Sequence, residues 1–180
     1  MNCIFICGPM KSGKSIELIA RAEPFSFANK RLRYIQPSQN VRDTGIASRS
    51  GLTVEAQKFS SLDDIPNDFD VIAIDEVNMF AAKDIVAVHG WLASGKVVIM
   101  AGIDLDYRAK MPPIIEKIYE LNPDELIRKK AVCDICHVYN ARFSQILDDG
   151  SPLLEGFDSL VPEDGRFEYQ ARCRRCFVRK

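Results

Sequence analysis

An apolar pentapeptide, Cys3-Ile4-Phe5-Ile6-Cys7, runs straight into Gly8-Pro9-Met10-Lys11-Ser12-Gly13-Lys14-Ser15. The octapeptide has the spacing G-x-x-x-x-G-K-[ST]. Its setting is strand, glycine turn, helix, the context in which that spacing has a physical meaning. Gly8 and Gly13 permit backbone angles that turn several N–H groups inward, forming a nest for phosphate oxygens in which Pro9, Met10, Lys11 and Ser12 complete the wall. The first turn of the next helix, Ser15-Ile16-Glu17-Leu18-Ile19-Ala20, adds unpaired amides and the positive end of its dipole. Lys14 is placed to reach the β- and γ-phosphates, and the Ser15 hydroxyl to ligate magnesium. A Gly/Ser-rich turn could match the pattern by accident, but the strand before it argues against that. A nucleoside triphosphate is expected at the end of the first strand.

The rest of the chain supplies a sheet for this loop. Arg33–Pro37 reads as a second strand that stops at its proline, and Thr53–Phe59 as a short alternating one. Asp70–Glu76 and Lys96–Ala101 are continuous apolar runs, expected where helices cover a parallel sheet on both faces. Ser15–Ala28 reads as a helix that Pro24 should end or kink. Ala82–Ser94 has helical spacing, and Gly95 signals its end. Asn40–Gly51 is polar and aperiodic and reads as a loop. After about Leu126 paired cysteines and a Gly/Asp/Pro-rich stretch replace the βα alternation, so two units are expected: 1–127, a phosphate-loop α/β domain, and 128–180, a cysteine-bearing appendage.

A magnesium nucleotide needs a carboxylate from a second strand, and Val71-Ile72-Ala73-Ile74-Asp75 offers one. Asp75 would hold magnesium directly or through water. Glu76, leaving the strand, is placed as a general base, acting on water in a nucleotide hydrolase or on a substrate hydroxyl in a kinase. These residues by themselves leave both open.

Cys133-Asp134-Ile135-Cys136 and Cys173-Arg174-Arg175-Cys176 are two knuckles able to give four thiolates to one tetrahedral zinc. Redox C-x-x-C chemistry or disulfides are the alternatives. Lys129, Lys130, Arg172, Arg174 and Arg175 would offset the thiolate charge. His137 adjoins a knuckle, but four thiolates suffice. Cys3 and Cys7 read as small core residues, His89 as a packing or surface residue, and Trp91 as buried against the sheet. A net charge of −1 gives no bulk drive toward nucleic acid or membrane. With no visible leader and no apolar run near the ~20 residues of a bilayer span, a cytoplasmic protein is expected.

A short phosphate-loop domain followed by a four-cysteine element closely resembles the zinc-containing thymidine kinases. The G-P-M-K-S-G-K-S loop with its methionine, the Asp75-Glu76 pair, Ala101-Gly102-Ile103-Asp104, and the knuckles with Tyr169 four residues before Cys173 carry the resemblance, in order along the chain. The resemblance implies ATP-Mg and a structural zinc. It makes Glu76 the base that deprotonates the 5′-hydroxyl of thymidine for in-line attack on the γ-phosphate of ATP. The excursion between the knuckles becomes a lasso that closes over the base, with Tyr169 contacting the nucleoside and Tyr107 near the base. Ser48-Arg49-Ser50-Gly51 resembles a flexible loop beside the substrates, and a homotetramer is implied.

The sequence departs from the family pattern in the acceptor half. Asn78 stands for a glutamine, Met79 for an aromatic bordering the sugar or base, Gly45 for an arginine after Asp43-Thr44, and Ile146 for an arginine. Leu160–Gly165 lacks paired glycines. Small changes in such a pocket shift substrate choice. Two other readings follow: an ATP-hydrolysing module whose cysteine element grips protein or nucleic acid through the basic C-terminus, and a relative that has lost its acceptor.

Overall fold

Runs of isoleucine, valine and alanine without a polar face can be buried only between two layers, and they form the middle of one parallel sheet. The structure, a computed structural model, describes residues 2–40, 45–47, 51–156 and 166–180. The first part contains β1 (Cys3–Cys7), α1 (Lys14–Phe27), β2 (Leu32–Pro37), β3 (Gly45–Ala47), β4 (Thr53–Glu55), β5 (Gln57–Phe59) and β6 (Val71–Ile74). It continues with α2 (Ile85–Ala93), β7 (Val97–Gly102), α3 (Pro113–Glu120) and β8 (Glu125–Arg128). Six strands lie in the order β5-β2-β6-β7-β1-β8, with every pairing parallel.

Side-chain alternation divides the core into two layers. Cys3, Phe5 and Cys7 join Ile72, Ile74, Val98 and Met100 under α2 and α3. Ile4 and Ile6 join Val71, Ala73, Ile99 and Ala101 under Leu18, Ile19 and Ala22 of α1. Trp91 is buried, edge-on to Phe69 with ring centres 5.4 Å apart. Parallel order brings the carboxyl ends of β1, β6 and β7 to one edge, where such sheets take their ligands.

The structure corrects several local expectations. Pro24 does not end α1: it lies in the last turn, where Ala28 N–H still reaches Pro24 O at 3.3 Å. The carbonyl it leaves without a helical donor is that of Ala20, an exposed residue. The expected loop Asn40–Gly51 contains β3, which pairs antiparallel with β4. The stretch Thr53–Phe59 splits, β4 joining that hairpin and β5 the main sheet. The helix expected from Ala82 starts as a 3-10 turn over Ala82–Asp84 and becomes α-helical at Ile85. Gly95 ends it as anticipated, with φ +75, Gly95 N–H bonded to Leu92 O and Lys96 N–H to Trp91 O, both at 3.0 Å. Helix α3 and strand β8 were not anticipated.

Beyond β8 the chain forms β9 (Ala131–Val132), β10 (Tyr139–Ala141), β11 (Phe143–Asp148), β12 (Ser151–Pro152) and β13 (Phe167–Arg172). β9 pairs with β10, and β11 lies between β12 and β13, all antiparallel. The knuckles are the turns after β9 and after β13. Among the described residues no helix is long and apolar enough to cross a membrane.

Candidate active site

The phosphate loop leaves β1 at Gly8, whose φ of +147 is outside the ordinary range of a side-chain-bearing residue. A Cβ there would stand 2.6 Å from the Lys129 carbonyl oxygen. Strain and overlap together make Gly8→Ala cost about 2–4 kcal/mol, to be read as a lower urea midpoint with an unchanged slope. Farther along, Lys11 and the N-cap residue Gly13 also hold positive φ, 64 and 77. Lys14 is buried, and its Nζ donates to Pro9 O at 2.9 Å. The Ser12 hydroxyl is buried and, among the described residues, without a hydrogen-bond partner. An orphaned donor inside a loop of this shape fits an anionic ligand oxygen.

Asp75 ends β6 facing this loop. It is 3% exposed and hydrogen-bonded to the Ser15 side chain, and its Oδ1 accepts the Glu76 N–H at 3.0 Å. Burial first, then the charge of Glu76, pushes its carboxyl well above the usual range, against the Ser15 bond and the Lys14 charge. Such a carboxylate beside a serine hydroxyl fits a hard divalent cation. The sign of the shift has a consequence for stability. An acid whose pKa rises on folding contributes its stability fully below its unfolded pKa and loses it as pH rises through the folded value. Asp75→Asn is therefore expected to melt higher than the parent at pH 8 without magnesium, by about 4–8 °C for ~2 kcal/mol. The gap should close toward pH 4 in calorimetry across pH.

Glu76 adopts the left-handed conformation, φ 49 and ψ 41, at the start of a 3-10 turn over Val77–Met79. A non-glycine residue held there is a marker of sites that need a fixed side-chain direction. Asn78, one of the departures expected to alter the acceptor pocket, is engaged elsewhere. Its Oδ1 accepts the Ile103 N–H at 3.0 Å, fastening the turn to the end of β7. Met79 is half-buried, and its N–H donates to Glu76 O at 3.0 Å within the turn.

Tyr107, Ile146 and Phe167 are buried in one apolar cluster, with Tyr169 and Leu153 against it. Two residues expected to meet the nucleoside, Tyr107 and Tyr169, thus come together from segments 62 positions apart in sequence. Met79 is not part of that cluster. Asp106, 2% exposed, organises the Tyr107 loop by accepting the Arg108 N–H at 2.9 Å, the Lys110 N–H at 2.8 Å and the Arg108 guanidinium. Sequence reasoning missed Asp106; an aspartate just ahead of amides two and four positions on is an Asx-turn signal. The missing arginine at Gly45 has a steric counterpart: a Cβ there would strike the Val54 carbonyl across the β3–β4 hairpin. Asp43, Thr44, Ser48, Arg49, Ser50 and the stretch Leu160–Gly165 lie outside the described residues.

The four knuckle sulfurs lie within 4.8 Å of one another, a set that could hold a metal ion, and His137 is not among them. Ala131, Ala141 and Ala171 pack around the cysteines. Burial opposes ionisation of Cys133, but the N–H groups of Cys136, Cys173 and Ile135 outweigh it and hold the thiol below its ordinary range. Burial and hydrogen bonding to the other thiols push Cys176 upward. A divalent ion would relieve that conflict, because thiolate is the ligand form. Lys129, expected to balance the thiolates, instead pairs with Glu17 at 2.9 Å, while Arg21 bridges Glu17 and Glu125. Cys3 and Cys7 are buried in the sheet, and burial raises both thiols to about 11.

The thymidine kinase family model matches residues 1–177. A protein named thymidine kinase from Chloroflexus aurantiacus is 37% identical over 180 residues, covering 96% of this chain and 92% of its own length. One of the same name from Roseiflexus sp. strain RS-1 is 35% identical, with the same coverage. Another, from Pyrobaculum aerophilum, is 32% identical and covers 97% of each chain. Because the matched residues take in the phosphate loop, the acidic doublet and both cysteine knuckles, the chain belongs to the thymidine kinase family.

Proposed function

We propose that this chain transfers the γ-phosphate of ATP to the 5′-hydroxyl of thymidine. The observation that carries this reading is the buried Asp75 carboxylate set on the Ser15 hydroxyl of the phosphate loop, in a chain of this family. Loop amides from Lys11 to Ser15 cradle the phosphates, with Gly8, Pro9 and Met10 shaping the turn, and Lys14 exchanges the Pro9 carbonyl for phosphate oxygens. Ser15 and Asp75 are the residues that would hold magnesium, which supplies charge neutralisation on the phosphates when bound. Glu76, its direction set by the left-handed turn, takes the proton from the 5′-hydroxyl. Tyr107 and Tyr169 hold the nucleoside, with Met79 at its border. Cys133, Cys136, Cys173 and Cys176 hold a structural zinc, the ion suited to a closed four-thiolate site.

The same reading divides the chain at residue 127 into a nucleotide-binding unit and a cysteine unit. It makes the protein a cytoplasmic homotetramer acting on small molecules rather than on nucleic acid or membrane. Labelled ATP with magnesium and a panel of nucleosides tests the chemistry. Thymidine-dependent formation of labelled monophosphate supports it. Free phosphate released without nucleoside would make the chain a hydrolase, and ATP binding without any product would make it a binding relative.

A further inference from the structure

Three contacts join the phosphate loop to the cysteine-bearing segment, and the loop motif itself requires none of them. At the root, the Lys129 N–H donates to Cys7 O at 2.7 Å, and its carbonyl fills the place of a Gly8 Cβ. At the tip, the Met10 N–H donates to the Ser144 hydroxyl of β11 at 3.0 Å. Beside it, Lys11 Nζ pairs with Asp134 Oδ2 at 2.8 Å. Asp134 lies between Cys133 and Cys136, and the same oxygen accepts the Ala171 N–H of β13 at 2.6 Å. Its carboxylate is thereby braced from a second strand. Lys11 holds φ 64, a conformation that a lysine does not choose by itself.

We propose that Asp134 and Ser144 are positioning residues for ATP. Through Lys11 and the Met10 amide they hold the loop tip in its phosphate-binding form, so the cysteine-bearing segment sets nucleotide affinity. The inference rests on the reading of residues 8–15 as the ATP site. An ion pair with both side chains roughly a quarter exposed is a modest clamp, so its removal should be felt as a small change confined to the nucleotide.

The test uses the full chain with a fluorescent ATP analogue and magnesium, alongside separate KM values for ATP and thymidine. Lys11→Met and Asp134→Asn should each weaken analogue binding and raise the ATP KM by about 2–5-fold. The thymidine KM and the bound metal should stay unchanged. The double variant should be no worse than the weaker single, because both changes break one contact. Lys11→Arg, which keeps the charge, should restore affinity. Ser144→Ala, away from the cysteines, should weaken binding by about 2–5-fold without touching the ion pair. Effects that multiply in the double variant, or equal shifts in both KM values, would overturn the proposal. So would Asp134→Asn losing metal while Ser144→Ala binds like the parent. Unaltered variants beside a parent that binds the analogue sink this inference alone; a parent that binds no analogue sinks the ATP reading of the loop and the inference with it.

Discussion

Glu76→Gln is expected to lower the turnover of ATP and thymidine by about 10²–10⁴ while leaving ATP affinity nearly unchanged. Glutamine keeps the length and the hydrogen-bonding oxygen of the side chain but cannot accept the hydroxyl proton. The residue follows β6 in a left-handed turn, so its direction comes from the backbone and survives the exchange. It is half-buried, open enough to meet a nucleoside hydroxyl. Lys14, Ser15 and Asp75, which would hold ATP and magnesium, are left in place, so the loss should fall on kcat and not on nucleotide binding. Rapid-quench measurement of thymidine monophosphate together with analogue titration checks both halves. Near-full turnover in this variant would remove Glu76 from the mechanism and return the choice of base to other acids at the sheet edge.

Cys133→Ser should have the second large effect, this time on the fold of the cysteine unit. The four sulfurs lie within 4.8 Å of one another, and the cluster around them adds only the small side chains of Ala131, Ala141 and Ala171 to hold β9 and β10 against β13. Structural zinc contributes about 10–16 kcal/mol to small domains of this type at neutral pH. Serine is a poor ligand for the same ion, so the parent should carry about one zinc per chain and the variant far less. Because Lys11 and Met10 lean on this unit, its loosening should also weaken ATP binding. Atomic emission for zinc, with thermal melts before and after a chelator, gives the reading. A parent that is metal-free and melts identically with chelator would overturn the metal assignment.

What could be read from residues alone was what local chemistry dictates. The glycine-lysine loop after an apolar strand, the acid doublet ending Val71–Ile74, the Gly95 helix stop and the spacing of Cys133, Cys136, Cys173 and Cys176 each follow from nearby dihedral, periodic or ligand preferences. Elements whose state depends on a partner strand or segment elsewhere in the chain are misread or missed. Gly45–Ala47 looks like loop until Thr53–Glu55 pairs with it, and β8 gains its meaning only beside β1. Pro24 fits because it sits in the last turn of α1, and the carbonyl it leaves without a donor is that of exposed Ala20. The use of Asn78 on Ile103, the meeting of Tyr107 with Tyr169 and the grip of Asp134 on Lys11 all join segments far apart in the chain. Only the folded sheet brings them within hydrogen-bonding or van der Waals range, and those are the short-range forces that decide such contacts.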